Sequence, residues 1–144
     1  MLLLLVAVAS CSRPSSYRKF IPREKAQYGD TYTYTLDLSD SASVYEFSFV
    51  TIIEREAFRH FASDDLEVTM KWVSPSNVVF SDKVTVSVAE AVDSSYFMRE
   101  LVTPYDMPAP GGDYGDWRLI AHVTGNPEHL RGLGIICDRK DGTR

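Results

Sequence analysis

Cysteine is scarce in this sequence, and its scarcity limits the redox and metal chemistry open to the protein. Only two are present, Cys11 and Cys137, and they form no Cys-x-x-Cys pair. The sequence also lacks a glycine-rich phosphate loop and the Gly-x-Ser-x-Gly turn of serine hydrolases. The commonest signatures of zinc ribbons, nucleotide-binding enzymes and hydrolases are therefore missing, and we predict neither a cofactor nor a metal site.

Clusters of basic residues are missing as well. The formal net charge is -5, and the lysines and arginines are scattered along the chain. A nucleic-acid-binding domain normally carries a basic patch or stripe. Nucleic acid is therefore excluded as a predicted partner.

The sequence contains a single long apolar run, at residues 2–9. A membrane-spanning helix needs about 20 apolar residues, so this run is too short to span a bilayer. It ends in Val8-Ala9-Ser10-Cys11, the form of a lipobox that is cut just before the cysteine. We predict a lipoprotein signal peptide at 1–10 and lipidation of Cys11. The alternative is an ordinary secretory signal or an apolar N-terminal tail.

The next segment, 11–27, has the composition of a tether between lipid and domain, because it is polar and basic and contains Pro14 and Pro22. No acidic cluster follows Cys11, whereas surface-exported lipoproteins of Bacteroidota typically carry one there. By analogy with those lipoproteins, we expect a protein anchored to the inner or outer membrane of the cell envelope and facing the periplasm. The folded domain is predicted to occupy 28–144.

Short segments of alternating polarity fill that domain. Their period of two is typical of half-buried strands, and turn residues separate them. The pattern predicts an all-β fold, an antiparallel β-sandwich of jelly-roll or Ig-like type with about seven or eight strands. Phe47 and Phe49 should face the core beside Trp72, whereas Glu46 should face solvent. Cys137 should be a small buried side chain, because an acylated Cys11 leaves it no disulfide partner.

Candidate catalytic groups do not converge in the sequence. His122 lies on the polar face of its strand. Glu128 and His129 are near it in the sequence, but two histidines and a glutamate at this spacing do not define a zinc site without a further ligand. The paired carboxylates Asp64-Asp65 and Asp113 with Asp116 are expected to be solvated loop charges, and the loop 106–116 has no recognised calcium spacing. We therefore predict no catalytic residues and no enzymatic activity.

Aromatic residues give the stronger signal for binding. Tyr105, Tyr114 and Trp117 surround a loop rich in proline and glycine. Trp117 follows the alternation of its strand and is expected in the core. Tyr105 and Tyr114 are expected to be exposed and are the candidate ligand-binding residues. They suggest an alternative function, a carbohydrate- or peptidoglycan-binding module.

The region from Phe58 to Asp138 resembles the gliding-motility lipoprotein GldH family of Bacteroidota. The matching landmarks are the lipobox, Phe58-Arg59-His60-Phe61, Val73-Ser74-Pro75, a strand led by Asp82, Arg99-Glu100, the loop before Trp117, and Leu133-Gly134-Ile135. The resemblance implies a non-enzymatic envelope lipoprotein, accessory to gliding or to the linked secretion machinery. It implies an envelope protein partner and transfers no active site.

Overall fold

The computed structural model describes residues 16–54, 66–86, 93–94, 98–107, 112–125 and 130–142. These residues form nine strands and a single turn of 3-10 helix at Arg23–Lys25. The strands are β1 (Ser16–Pro22), β2 (Thr31–Leu38), β3 (Ser43–Glu54), β4 (Leu66–Val73), β5 (Val79–Val86), β6 (Asp93–Ser94), β7 (Met98–Tyr105), β8 (Gly115–Thr124) and β9 (Leu130–Asp141). No helix in these ranges has the length and apolarity needed to cross a membrane.

Two antiparallel sheets make up the fold, as predicted. One has the strand order β1-β9-β3-β7-β6 and the other the order β2-β8-β4-β5. If the two-residue β6 is set aside, each sheet has four strands, and successive strands alternate between the sheets except at the β4–β5 hairpin. This order is that of a jelly roll rather than an Ig-like sandwich.

The alternation in the sequence places the core as expected. Phe47 and Phe49 on β3 are almost fully buried, and Phe47 packs edge-on against Trp72 of the other sheet with ring centroids 5.6 Å apart. Glu46 is exposed and pairs with Lys140. The register predicted for β3 is therefore confirmed. Cys137 is also buried, and burial raises the pKa of its thiol to about 12.

The predicted tether, residues 11–27, ends too late in the chain. Part of it, Ser16–Pro22, is strand β1, which pairs with β9 from Ser16 opposite Asp138 to Pro22 opposite Gly132. Phe20 lies against β9 where that strand has no side chains: a Cβ at Gly134 would come within 3.1 Å of Phe20 Cδ2. Residues 16–22 therefore belong to the sandwich, and the domain does not begin at residue 28.

The loop rich in proline and glycine begins later than Pro104 suggests, because β7 continues to Tyr105. Pro104 is tolerated in this strand although it has no N–H to donate. Strand β6 pairs β7 only at Arg99 and Glu100, so beyond that point β7 is an edge among the described residues. Proline is confined to such edges in sheets.

The burial of Phe49 gives a direct test of the register. Phe49→Ala should lower the free energy of unfolding by about 3 to 5 kcal/mol, because it removes buried apolar surface and leaves a cavity. Glu46→Ala, on the exposed face of the same strand, should change it by about 0.5 kcal/mol or less. Urea denaturation measures both. Equal losses from the two substitutions would contradict the inward position of Phe49.

Two buried tyrosines on β2 differ in whether their hydroxyl has a hydrogen-bond partner. The Tyr34 hydroxyl donates to the Leu133 carbonyl of the other sheet, whereas the Tyr32 hydroxyl has no partner among the described residues. Tyr34→Phe should therefore cost about 1 kcal/mol, because it removes a buried hydrogen bond. Tyr32→Phe should cost less or should stabilise. Equal effects in urea unfolding would contradict this assignment.

Tyr32 also leads to a prediction of how stability depends on pH in alkaline solution. Burial, with Asp30 nearby, raises the pKa of Tyr32 from 10.0 to about 12. Folding therefore favours the neutral phenol, and this contribution to stability is complete below pH 10 and is lost as the pH rises towards about 12. Tyr32→Phe should make the unfolding free energy fall less steeply across that interval. An unchanged slope would show that Tyr32 does not contribute to it.

Candidate functional site

Tyr105, one of the two predicted ligand-binding residues, is a core residue. Its side chain is 7% exposed, and its ring stacks on Trp72 with centroids 6.2 Å apart and planes 7° from parallel. It also packs against Phe49. The prediction that Tyr105 is exposed is wrong, because β7 continues through Pro104 and turns this ring inward.

The hydroxyl of Tyr105 joins the two sheets. It donates to Asp82 Oδ2 on β5 at 2.9 Å. Burial raises the pKa of Tyr105, and the hydrogen bond to Asp82 raises it further. Tyr105 is thus held neutral with its only polar atom engaged. Its position makes it a brace between β7 and β5 rather than a ligand contact.

Tyr114, the other predicted residue, is 47% exposed at the start of β8. Its neighbour Asp113 is fixed: the carboxylate accepts from the Ser76 hydroxyl of the β4–β5 turn, and the Asp113 carbonyl accepts from Trp117 Nε1 at 2.9 Å. Hydrogen bonds from Ser74 and Ser76 lower the pKa of Asp113. Tyr114 therefore follows a residue that is held by hydrogen bonds, and its exposed ring is available for contact.

His122 lies near the opposite end of β8, on the polar outer face as predicted. Its Nδ1 is 3.3 Å from the Thr31 hydroxyl oxygen, and that hydroxyl donates its single proton to the Tyr28 carbonyl at 3.0 Å. A Cβ on Gly29 would lie 3.3 Å from the His122 ring. The imidazole thus supports the turn that leads into β2. Asp113 and His122 are separated by most of the length of β8, so they cannot act on one substrate atom.

Sequence reasoning missed Tyr28, whose side chain is fully exposed at that turn. The turn is braced: Arg23 pairs with Asp30 at 2.8 Å, and Gly29 and Asp30 both have positive φ. An open depression of about 550 Å³ lies beside it. Among the described residues its lining is formed by Ala26, Gln27, Tyr28 and Thr31.

The signal that could have identified this site is Tyr28-Gly29-Asp30, an aromatic residue just before two residues suited to a tight turn. A fixed backbone that holds an exposed ring beside the Gln27 amide provides apolar contact area and hydrogen bonds. Such a site can bind a protein segment or a sugar, because its braced backbone loses little freedom on binding. It offers no nucleophile paired with a base.

Other predicted candidates lie outside the described residues. These are Cys11, Asp64, Asp65, Glu128 and His129. Within the described ranges, no three His, Cys, Asp or Glu side chains are grouped as metal ligands. The sequence matches no protein-family model and no curated protein.

The burial of Tyr105 can be tested by comparing the stability of its variants with that of a variant at the exposed Tyr114. Tyr105→Phe should lower the free energy of unfolding by about 1 to 3 kcal/mol, because it leaves the half-buried Asp82 carboxylate without this donor. Tyr105→Ala should cost about 3 to 5 kcal/mol, as large aromatic truncations in a core do. Tyr114→Ala, the matched exposed control, should stay within about 0.5 kcal/mol. If the Tyr105 and Tyr114 variants unfold at the same urea concentration, Tyr105 is not a core residue.

Proposed function

We propose that this protein is a lipid-anchored lipoprotein of the cell envelope, facing the periplasm, which binds an envelope protein and catalyses no reaction. The observation that carries the proposal is the lipobox ending at Cys11, only five residues before β1 begins at Ser16. An export signal with a modifiable cysteine thus stands directly in front of a β-sandwich. Several acyl chains, at about 0.8 kcal/mol per buried methylene, hold such a protein on a membrane effectively permanently.

The placement of the polar side chains favours binding over catalysis. Asp82 is engaged by Tyr105, and Asp113 by the β4–β5 turn. His122 contacts Thr31 at the other end of the sandwich. These groups stabilise turns and sheet contacts. The most exposed aromatic ring of the described residues, that of Tyr28, lies on a braced turn beside a depression. A surface of this kind suits recognition of a partner.

The resemblance to the GldH family gives the proposal a more specific form. In that form the protein is an accessory of gliding motility or of the linked secretion machinery, and its partner is another envelope component. A crosslinked pull-down from membranes tests this form, with Tyr28→Ala as the variant expected to lose the partner and Glu46→Ala as a surface control expected to retain it. Recovery of the same proteins with both variants would place the contact elsewhere.

A carbohydrate- or peptidoglycan-binding module is the second candidate, and exposed aromatic rings favour it. Tyr28 is fully exposed and Tyr114 is 47% exposed, and an open ring face can stack on a sugar. The buried Tyr105 takes no part in this version. Binding on a glycan array that is weakened by Tyr28→Ala or Tyr114→Ala would support it, and an array without signal would exclude it.

The lipid anchor is tested by metabolic labelling with a palmitate analogue. The wild type should be labelled and recovered with membranes, and Cys11→Ser should be unlabelled, because the thiol that carries the diacylglycerol is gone. Cys137→Ala is the matched control and should remain labelled, since Cys137 is buried in the sandwich. An unlabelled wild type recovered in soluble form would overturn the anchor.

A further inference from the structure

The jelly-roll topology gathers the connections between strands at two opposite ends of the sandwich. Ser16, the first residue of β1, pairs with Asp138 near the end of β9, and Ser43, the first residue of β3, pairs with Asp141. We call this the Ser16 end. It also carries the β2–β3 connection, the β4–β5 turn and the residues just before β8. The turn with Tyr28 lies at the opposite end, which we call the Tyr28 end.

Exposed apolar side chains are distributed unevenly between these ends. Most of the large ones in the described ranges lie at the Ser16 end: Tyr17, Val44, Val78, Val79 and Tyr114, with exposures of 38%, 55%, 60%, 50% and 47%. At the Tyr28 end they are Tyr28 and Met98. The side chains at the Ser16 end come from β1, β3, the β4–β5 hairpin and the residue before β8, so they are far apart in the sequence. Only the fold brings them to one end.

The chain before β1 fixes how far this end can be from a membrane. If Cys11 carries lipid, Ser16 comes five positions after the anchor, with four residues between them. At about 3.5 Å per residue even a fully extended chain spans only about 18 Å. The Tyr28 end is farther from the anchor by the length of a strand of eight residues, about 26 Å. The tether thus holds the Ser16 end near the lipid but does not prevent the domain from lying on its side.

Two of the carboxylates at the Ser16 end are paired with basic side chains, which removes part of the negative charge that would oppose contact with a bilayer. Glu46 pairs with Lys140 at 2.6 Å, and Arg139 approaches Asp40 at 3.7 Å. Tyrosine, with an apolar ring and a polar tip, is enriched where protein meets the headgroup region. Tyr17 and Tyr114 are of this type, and Val78 and Val79 are at the tip of a hairpin.

We propose that the Ser16 end rests on the membrane surface, with Tyr114 and the β4–β5 hairpin in contact with the headgroup region, so that the Tyr28 end points away from the bilayer. This inference rests on the lipid anchor proposed above. It assigns the two rim tyrosines different roles: Tyr114 contacts lipid, and Tyr28 faces the periplasm and its partners. A second copy of the chain or a protein partner at the Ser16 end is the competing occupant.

The experiment uses the acylated chain in vesicles of phosphatidylethanolamine and phosphatidylglycerol that contain nitroxide-labelled headgroups. A fluorescent thiol probe is attached to Tyr114→Cys, to Val78→Cys or to Tyr28→Cys. The wild type serves as the blank, because Cys11 is acylated and Cys137 is buried. Probes at 114 and 78 should be quenched by the labelled lipid, and the probe at 28 should not be.

Equal quenching at 28 and 114, or stronger quenching at 28, would overturn the orientation while leaving the anchor intact. A chain that fails to float with the vesicles would overturn the anchor and the inference with it. Val78→Ser with Val79→Ser should reduce quenching of the probe at 114 without reducing flotation. If quenching at 114 persists unchanged in that variant, the apolar hairpin does not contact the lipid, and that part of the proposal is wrong.

Discussion

The packing of Trp72 between the two sheets is the contact on which the rest of the sandwich depends. Its ring stacks on Phe80 of the neighbouring strand β5 and on Tyr105 of the facing sheet, and Phe47 meets it edge-on. The Tyr105 hydroxyl donates to Asp82, so aromatic packing and a hydrogen bond both join β7 to β5 across the two sheets. Because the sandwich is fixed at β5 and β7, the turns at both ends project from a rigid frame.

The same contact explains a charged residue in a strand. Asp82 belongs to β5, an edge of its sheet, and it points inward to the Tyr105 hydroxyl, whereas its neighbour Lys83 is exposed. Inward-pointing charges and edge lysines hinder another strand from adding to an open edge. If the protein is anchored in a membrane as proposed above, copies are concentrated in two dimensions, and such protection would suppress edge-to-edge association.

Much of this fold could be predicted from the sequence, because strands buried on one face show the burial directly. The register of β3 and the burial of Phe47, Phe49 and Cys137 follow from a period of two. Strand β1 escaped prediction because it is an edge strand, largely exposed, and its partner β9 is more than a hundred residues away. The sequence signal for β1 lies in β9 instead, where Gly132 and Gly134 leave room for Phe20.

The candidate site was predicted less well, and for a different physical reason. Proline near Tyr105 indicates a loop, but an unpaired strand edge tolerates Pro104, and the strand continues far enough to bury the ring. Tyr114 remained exposed because the chain has already turned towards β8. Local composition marks where a chain bends, but whether an aromatic ring near the bend is buried depends on which strand of the other sheet lies opposite.

Strand β1 also changes what a lipid anchor at Cys11 would mean for the domain. A tether of 11–27 would let the sandwich sample every orientation, because a chain of that length extends farther than the sandwich itself. With β1 paired to β9 from Ser16, only residues 12–15 lie between the cysteine and the sheet. A connection that short couples the position of the anchor to one end of the fold, so the membrane and a partner are expected to occupy opposite ends of the same rigid body.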